Sequence, residues 1–446
     1  MGKYFGTDGV RGVANENLTV EMAYKVGRYL AYYYGKVSAC RVLLGKDTRL
    51  SSSMFEAALI SGFLESGAQV FQLGYTSTPC VSYLVAQGEF NCGVMISASH
   101  NPYYDNGIKV FKSDGTKIDS ELEDLIEEYF SGTIELQRAP RDKIGKLFDF
   151  SQGIKQYQDY LLAIVNDKLD PDIKIALDLA HGSGCYTAPE VFAQLGLNVD
   201  LYCNAPDGSN INNDCGSTHL SNLQKLVREK GYDVGFAFDG DGDRMLAVDQ
   251  DGKVVDGDAI LYICGTYLKA LGRLKGNTVV TTVMSNIGFH KAMKSEDINL
   301  AITQVGDKYV YDCMKNQDYV LGGEQSGHII FAEYANTGDG LLTALLLLEI
   351  MSKARQSLKE LLSDLVIYPQ LLVNLKVKDK SIINDREVEE LLSRISNALG
   401  QEGRILVRTS GTEPLIRVMV EAENDEICRD YVDETIALLK QKDLEK

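Results

Sequence analysis

The sequence has few positive charges for its size. Its 446 residues contain 45 Lys and Arg against 63 Asp and Glu, which gives a net charge of −18. Because nucleic acids and anionic membrane surfaces are bound by basic faces of proteins, this balance argues against either as a partner. The chain is 45% hydrophobic and 24% charged, which is typical of globular proteins. At about 150 residues per domain, the length predicts about three domains.

Long hydrophobic runs are also missing. The most apolar stretch, Leu341–Met351, is eleven residues long, whereas a membrane-spanning helix needs about twenty. We therefore expect this stretch to form a buried helix and the protein to have no membrane partner. The first residues show no apolar segment of the kind that directs export, so we expect a cytoplasmic protein.

No two cysteines have the C-x-x-C spacing that is typical of zinc sites and redox motifs. The nine cysteines are scattered along the chain and odd in number, unlike the cysteines of a disulfide framework. We expect reduced thiols, with neither disulfides nor a zinc site.

One pattern occurs three times along the chain: an apolar β-branched run, a polar loop, a helical stretch and a second apolar run. The three copies span residues 42–73, 173–202 and 278–303. Strands that alternate with helices of this length predict βαβ units. We therefore expect three similar α/β domains with mixed or parallel sheets.

The C-terminal part of the sequence follows a different pattern. After Pro369, apolar and polar residues alternate along short strands, and helices are predicted at 387–399 and 425–439. Strands of period two with helices on one side predict a smaller α+β domain. Only eight prolines interrupt the chain, so we expect short linkers. The predicted domains are 1–150, 151–255, 256–368 and 369–446.

Three aspartates alternate with glycines in the loop that follows the apolar strand 234–238. Asp239, Asp241 and Asp243 repel one another unless a cation neutralises them, and the glycines allow their oxygens to converge. An EF-hand would carry Gly and Glu where this loop has Arg244 and Gln250, which excludes a calcium loop of that kind. A small number of hard oxygen ligands favours Mg²⁺. A solvated acidic turn is the alternative.

A second polar loop follows the apolar run 93–96 and contains the segment Ser97-Ala-Ser-His-Asn-Pro102. The neighbouring Ser99 and His100 suggest a hydrolase, but the G-x-S-x-G sequence of such enzymes does not occur here. Adjacent side chains on an extended backbone also point apart. An Asn-Pro turn with capping hydroxyl groups is the alternative.

Two further loops have the chemistry of anion and sugar binding. A guanidinium, three hydroxyl groups and a glycine lie within 408–414, with Arg417 soon after, a combination that suits a phosphate dianion. The loop 322–328 offers Glu324 and Ser326 to sugar hydroxyls, although an exposed turn would have similar residues. Basic residues near these loops of an acidic protein indicate a small anionic ligand.

The segment 175–187 imitates a dinucleotide-binding fingerprint. Thr187 occupies its third glycine position, and G-x-G alone is a weak indication. A nucleotide site is therefore the less favoured interpretation of this segment.

Together these loops resemble the motifs of the α-D-phosphohexomutase superfamily. The matching segments occur in family order and are Phe5-Gly-Thr-Asp-Gly-Val-Arg-Gly12, Ser97-Ala-Ser-His-Asn-Pro102, Asp239-Gly-Asp-Gly-Asp-Arg244, Gly323-Glu-Gln-Ser-Gly-His328 and Arg408-Thr-Ser-Gly-Thr-Glu-Pro414. The resemblance implies four domains arranged in a heart shape around a central cleft, to which each domain contributes one loop.

The resemblance also implies roles for individual residues. Ser99 would be the phosphoserine, Arg11 and Lys109 would lie around the transferred phosphate, and either Lys109 or His100 would act as the general base. The implied ligands of a single Mg²⁺ ion are Ser99, Asp239, Asp241 and Asp243. The implied substrate-binding residues are Arg244, Glu324, Ser326 and His328 around the sugar and Arg408, Ser410, Gly411, Thr412 and Arg417 around the distal phosphate.

Gln325 and the segments 210–219 and 336–340 are similar to the branch of the family that acts on glucosamine phosphates. This implies an isomerase that interconverts glucosamine 6-phosphate and glucosamine 1-phosphate through a phosphoserine and a 1,6-bisphosphate, and that feeds UDP-N-acetylglucosamine and cell-wall precursor synthesis. Glucosamine 1,6-bisphosphate or glucose 1,6-bisphosphate would be the activator, and a homodimer stays open. Val10 and Lys308 stand where the family more often has Ile and Arg, and Lys does not copy a bidentate Arg contact.

Three other functions stay open at this stage. A mutase for glucose or mannose phosphates would differ only in the sugar that it prefers. A Mg²⁺-dependent sugar phosphatase would share the acidic loop but release inorganic phosphate. A noncatalytic phosphosugar sensor would not need both Ser99 and the three aspartates.

Overall fold

The computed structural model describes residues 4–6, 8–36, 39–165, 169–409 and 414–444. They group into two compact units, one within 1–283 and 300–363 and the other within 284–299 and 364–446. No helix in these ranges is long and apolar enough to cross a membrane.

The first sheet contains seven strands. The strands are β1 Phe5–Gly6, β2 Gly9–Val13, β3 Arg41–Lys46, β4 Gln69–Tyr75, β5 Cys92–Ile96, β6 Asp105–Lys112 and β7 Lys146–Asp149, and the helices of this part are α1 Val20–Tyr34, α2 Ser52–Glu65, α3 Thr78–Ala86 and α4 Ser120–Phe130. The strand order is β1-β2-β6-β5-β3-β4-β7. The central strands β3 and β5 pair in parallel and are buried on both faces, which explains their continuous apolar sequence.

The second sheet contains five strands in the order β12-β11-β10-β8-β9, formed by β8 Lys174–Asp178, β9 Asn198–Tyr202, β10 Val234–Phe238, β11 Met245–Asp249 and β12 Val254–Val255. Its helices are α5 Gly153–Ile164, α6 Ala188–Gln194 and α7 Ser221–Lys230. β10 pairs in parallel with β8 and antiparallel with β11, with Phe238 opposite Met245. The residues between this pair therefore form a tight loop at the end of the sheet.

The third sheet contains four strands. The strands are β13 Thr278–Thr282, β14 Asn299–Thr303, β15 Leu321–Gly323 and β16 Ile329–Phe331, and the helices are α8 Gly257–Ala270, α9 Ile287–Ser295, α10 Asp307–Gln317, α11 Gly340–Ala354 and α12 Leu358–Leu361. The strand order is β14-β13-β15-β16, and α9 groups with the second compact unit. Leu341–Met351 lies in α11 and is mostly buried, as the sequence predicts.

The C-terminal sheet is antiparallel in the order β17-β19-β18, formed by β17 Gln370–Lys376, β18 Arg404–Thr409 and β19 Leu415–Glu421. Its helices are α13 Arg386–Leu399 and α14 Asp425–Leu444, which overlap the two predicted helices. Val388 and Ile395 of α13 pack in one core with Val418 and Val432. The predicted fold class, three mixed α/β sheets followed by a smaller α+β domain, is confirmed. Single turns of 3₁₀ helix occur at Arg141–Lys143, Ser183–Tyr186, Lys275–Asn277 and Lys380–Asn384.

Asp339, which caps α11, is a buried carboxyl group with a raised pKa. Burial raises its pKa from 3.8 to about 6, although the Leu342 amide and the Tyr157 hydroxyl donate hydrogen bonds to it. Because its pKa is higher in the folded than in the unfolded chain, the protonated group stabilises the fold. This contribution is complete below about pH 4 and is lost as the pH rises through about 6.

We expect Asp339→Asn to remove this pH dependence, because the amide cannot ionise but keeps an oxygen for the helix cap. From about pH 4 to pH 7, the free energy of unfolding of the original chain should fall by up to about 3 kcal/mol more than that of the variant. Urea unfolding at a series of pH values measures this difference, with Asp364→Asn, an exposed position, as the control. A difference that stays constant with pH would contradict the expectation.

Candidate active site

Ser99 lies just beyond β5 in a left-handed backbone conformation. Its φ is 54°, which is rare for a residue other than glycine. The Ser97 hydroxyl accepts a hydrogen bond from the Ser99 amide at 2.8 Å. The Ser99 carbonyl accepts hydrogen bonds from Arg49 at 2.7 Å and from Asn212 at 2.9 Å. These contacts hold the backbone and so fix the direction of the Ser99 side chain.

The three aspartates approach Ser99 from the loop between β10 and β11. The Ser99 hydroxyl donates to Asp239 Oδ2 at 2.6 Å. Oxygens of Asp239, Asp241 and Asp243 lie within 4.8 Å of one another, and all three side chains are buried. A Cβ at Gly240 would lie 2.6 Å from the Ser99 carbonyl oxygen, so this close approach requires glycine. The burial contradicts the alternative of a solvated acidic turn.

The buried aspartates have the properties of a cation site. Burial raises the pKa of Asp239 well above its ordinary value, and the charges of Asp243 and Asp241 raise it further. Asp241 Oδ1 and Asp243 Oδ1 are buried and have no hydrogen-bond partner in the described part of the chain. Carboxylate and hydroxyl oxygens are the ligands that Mg²⁺ prefers in proteins. The three aspartates and Ser99 therefore fit a magnesium ion.

Lys109, on β6, contacts the same aspartates. Its Nζ lies 2.7 Å from Asp241, 3.1 Å from Asp243 and 3.0 Å from Asp8. Burial opposes the charge of Lys109, but these carboxylates raise its pKa well above the ordinary value. Burial likewise opposes the charge of Asp243, yet the charge of Lys109 lowers the pKa of Asp243 to about 2. Lys109 therefore keeps its proton and offsets part of the negative charge.

Asp8 belongs to a charge network that the sequence analysis did not identify. It pairs with Arg11 and with Lys117, and Lys117 pairs in turn with Asp307. Asp307 Oδ2 lies 3.6 Å from His328 Nε2. Asp8 lies within a recognised motif, but no local pattern links it to Lys117 or Asp307. These residues become neighbours only through the fold.

His100 follows Ser99 in the chain but interacts with Arg244. His100 Nδ1 lies 3.1 Å from Arg244 Nη1, and the guanidinium is the donor because it has no acceptor atom. Burial, followed by the charges of Arg244 and Arg11, lowers the pKa of His100 to about 4. The ring is therefore neutral at pH 7, with its proton on Nε2. The Ser99 hydroxyl is thus paired with Asp239 and not with its neighbouring histidine.

The predicted sugar loop joins β15 to β16. Glu324 is nearly buried, and its carboxylate accepts a hydrogen bond from the Gly306 amide at 3.1 Å. His328 Nε2 accepts from the Gly338 amide at 3.2 Å, so Nδ1 carries the ring proton. That Nδ1 is buried and has no partner among the described residues. Ser326 is exposed on the same loop, which thus offers donors and acceptors that differ in burial.

The backbone of the acidic loop is held by amide groups from three parts of the first unit. The donors are Thr78 to the Asp241 carbonyl at 2.9 Å, Ser183 to Gly240 at 2.8 Å and Gly340 to Gly242 at 3.0 Å. They lie at the start of α3, in the 3₁₀ turn that follows β8, and at the start of α11. Elements of the first, second and third sheets therefore fix the position of this loop together.

The glycine of the segment that imitates a dinucleotide fingerprint has a packing role. A Cβ at Gly182 would lie 2.4 Å from the Gly240 carbonyl oxygen. The close approach of two backbone segments explains this glycine, and a bound phosphate is not required to explain it.

Arg408 and Arg417 lie opposite each other on β18 and β19 of the second unit. Burial, followed by the charge of Arg417, lowers the pKa of Arg408. Two guanidinium groups at one register position suit a phosphate anion. Of the other residues predicted for this loop, Ser410, Gly411 and Thr412 lie outside the described residues.

Comparisons with known proteins agree with this architecture. Family models of phosphoglucomutase/phosphomannomutase, for alpha/beta/alpha domains I, II and III and the C-terminal domain, match residues 2–136, 155–252, 256–368 and 372–438. A protein named phosphoglucosamine mutase from Lachnoclostridium phytofermentans is 53% identical over 444 residues, which are 99% of each chain.

Two solved structures share the fold. A phosphoglucomutase/phosphomannomutase family protein from Burkholderia thailandensis has a TM-score of 0.79 at 22% identity, over 98% of this chain and 97% of the other. The N-acetylphosphoglucosamine mutase of Aspergillus fumigatus in complex with GlcNAc-6P and magnesium has a TM-score of 0.69 at 18% identity, over 99% and 96% of the two chains. The predicted resemblance is confirmed, and the chain belongs to the phosphoglucomutase/phosphomannomutase family.

Proposed function

We propose that this protein interconverts glucosamine 6-phosphate and glucosamine 1-phosphate by way of a phosphorylated Ser99 and a 1,6-bisphosphate of the sugar. The observation that carries the proposal is the 2.6 Å contact between the Ser99 hydroxyl and Asp239, inside a buried cluster of aspartates. The 53% identical relative named phosphoglucosamine mutase supports the choice of sugar. An enzyme of this kind is an isomerase that acts as an intramolecular phosphotransferase.

In this proposal Ser99 accepts and donates the phosphoryl group. Transfer of this group depends on positioning and on neutralising the charge of its oxygens. The residues that would hold one Mg²⁺ are Ser99, Asp239, Asp241 and Asp243. When bound, the ion supplies Lewis-acid stabilisation of that charge. Arg11 and Lys109 add two cationic side chains, which are joined through Asp8.

Lys109 is our choice for the group that accepts the proton of the attacking sugar hydroxyl. His100 is the less suitable base, because Arg244 donates to its Nδ1 and its Nε2 carries the proton. The raised pKa of Lys109 depends on the charges of Asp241, Asp243 and Asp8. Neutralisation of Asp241 and Asp243 would remove two of these charges, so that burial lowers the pKa of Lys109. Lys109 would then release its proton to solvent, and the neutral amine can accept the proton of the sugar hydroxyl.

Substrate contacts are proposed from the chemistry of each side chain. The carboxylate of Glu324 and the hydroxyl of Ser326 suit sugar hydroxyls, and His328 offers a buried Nδ1–H donor. For Arg408 and Arg417 we propose the binding of a phosphate group. Arg244, Ser410, Gly411 and Thr412 keep the substrate-binding roles that the family resemblance implies.

The finer details of cofactor and location are also proposals. We propose one Mg²⁺ per chain and a hexose 1,6-bisphosphate, of glucosamine or glucose, as the activator. A cytoplasmic location is supported by the nine cysteines, all of which are free thiols in the described structure.

The function is tested with the purified chain, Mg²⁺ and a bisphosphate activator. We expect the highest kcat/KM for glucosamine phosphate among the glucosamine, glucose and mannose substrates. Ser99→Ala should abolish turnover because it removes the acceptor oxygen, and intact-mass spectrometry should show one phosphate on the original chain that the variant lacks. Ser113→Ala, an exposed position, is the matched control.

Two outcomes would contradict the proposal. Release of inorganic phosphate as the main product would favour a phosphatase, and a preference for glucose or mannose phosphate would contradict the proposed substrate.

The magnesium assignment is tested with Asp241→Asn, which keeps the shape of the side chain and removes its charge. We expect the Mg²⁺ concentration for half-maximal activity to rise at least about tenfold, because an anionic ligand is lost. Asp251→Asn, at an exposed position in a later turn of the same sheet, should leave this concentration unchanged. An unaltered Mg²⁺ titration of Asp241→Asn would remove this residue from the metal site.

The assignment of Lys109 is tested with Lys109→Arg, which keeps the charge but cannot act as a base. We expect kcat to fall at least about 100-fold with a small change in KM. Lys112→Arg, at the end of the same strand, is the control. If Lys109→Arg keeps most of its kcat, the proton must go to another group.

A further inference from the structure

Three side chains with metal-binding atoms meet at one end of the second sheet. His181 lies shortly after β8, Cys203 directly after β9, and Cys215 in the connection to α7. Both sulfur atoms and a ring nitrogen of His181 lie within 4.8 Å of one another. A site with two sulfur ligands and one imidazole nitrogen binds Zn²⁺ in preference to Mg²⁺. We propose that His181, Cys203 and Cys215 form a binding site for a thiophilic divalent cation of the Zn²⁺ type.

The backbone at this cluster adopts conformations that most residues avoid. The φ angles are 53° at Ala180, 49° at His181 and 50° at Cys203. Left-handed conformations of residues other than glycine cost free energy and concentrate at functional sites. Here the left-handed residues lie in the loops that bring three side chains with metal-binding atoms together. Packing alone does not require these polar atoms to converge.

Asp178, the last residue of β8, holds the backbone beside two residues of this cluster. Its carboxylate accepts amide hydrogen bonds from Ala180 and Gly216, each at 2.9 Å. These two hydrogen bonds fix the backbone next to His181 and next to Cys215 in the chain. The sulfur atoms of both cysteines of the cluster lie within 4.8 Å of each other. Asp178 therefore joins the backbone segments that carry His181 and Cys215.

Metal binding needs only a small contraction of the cluster. Zn–S bonds of about 2.3 Å and Zn–N bonds of about 2.0 Å place the ligand atoms of a tetrahedral site about 3.5 to 3.8 Å apart. The His181 Nδ1 accepts a hydrogen bond from the amide of Ala205 at 3.2 Å. Ala205 is exposed, so its amide can turn to water when the ring binds metal. His181 and Cys203 are half-buried, which lets the ion enter and leaves the fourth position to a water molecule.

The proposed site would stabilise the loop that supports Ser99. Asn212, in the same loop as Cys215, donates from its side chain to the Ser99 carbonyl. The backbone N–H of Asn212 donates to the carbonyl of Ala180, the residue before His181, at 2.9 Å. A cation that joins the three ligands therefore restrains both partners of this contact. The proposal concerns binding and does not depend on which sugar the enzyme uses.

The test uses the full chain, reduced and freed of metal, in excess Mg²⁺ so that the aspartate site is occupied by a hard cation. Cd²⁺ is the probe, because its bonds to thiolates absorb in the ultraviolet, and Zn²⁺ is then added as a competitor. We expect about one Cd²⁺ per chain with thiolate absorption that Zn²⁺ removes. Absence of this absorption in the original chain would overturn the proposal.

Matched variants locate the site. Cys203→Ser, Cys215→Ser and His181→Asn should each weaken Cd²⁺ binding at least about tenfold, and Asn suits the left-handed backbone of His181. Cys185→Ser is the control: its Sγ lies 3.7 Å from the Cys203 carbonyl oxygen, and burial raises the pKa of this thiol to about 12. Equal binding by the Cys203→Ser/Cys215→Ser double variant would overturn the proposal, as would a loss in Cys185→Ser that equals the loss in Cys203→Ser.

A second measurement needs no variant and so does not depend on folding of the substituted chains. Alkylation of Cys203, followed by peptide mass spectrometry, should slow at least about tenfold when Cd²⁺ is bound, while alkylation of the half-buried Cys313 stays constant. Equal protection of both cysteines, or of neither, would place the ion elsewhere.

Discussion

The active site depends on the burial of negative charge. Three carboxylates are removed from water at one loop, and an uncompensated buried charge costs several kcal/mol. The compensation comes from Lys109, which contacts two of them, and from the hydroxyl of Ser99. Two carboxylate oxygens still have no hydrogen-bond partner among the described residues. The fold thus concentrates unbalanced negative charge at one point, and this charge distribution suits a bound cation.

Ser99 is held in its place by the backbone and not by its own side chain. The left-handed conformation costs about 1 to 2 kcal/mol for a residue with a Cβ. Hydrogen bonds from Arg49 and Asn212 to its carbonyl offset that cost. Both of these bonds are to the backbone, whereas the hydroxyl bonds to Asp239. The hydroxyl can therefore exchange its partner while the backbone stays in place. In the proposed reaction Ser99 is modified and restored in each cycle, and a backbone held independently of the hydroxyl would allow this.

Sequence reasoning identified the polar loops whose residues are contiguous in the chain, and the structure brings two of these loops together. The aspartates of 239–243 and the serine loop could be predicted because each lies in a few residues after an apolar strand, and the fold class followed from repeated strand and helix patterns. The contacts of Asp8 with Lys117, and of Cys203 with Cys215, could not be predicted. They join residues whose spacing carries no signal, and only the packing of the sheets brings them together. The domain boundaries stay predictions.

The amide contacts to the acidic loop set an order of events during synthesis. Thr78, Ser183 and Gly340 each donate to this loop, so its geometry is complete only when the last of them has emerged from the ribosome. Domains fold largely as units in the order of translation. A nascent chain that ends before α11 therefore carries every carboxylate of the cluster but lacks its final restraint. The full set of backbone restraints on the acidic loop thus forms late in the synthesis of the chain.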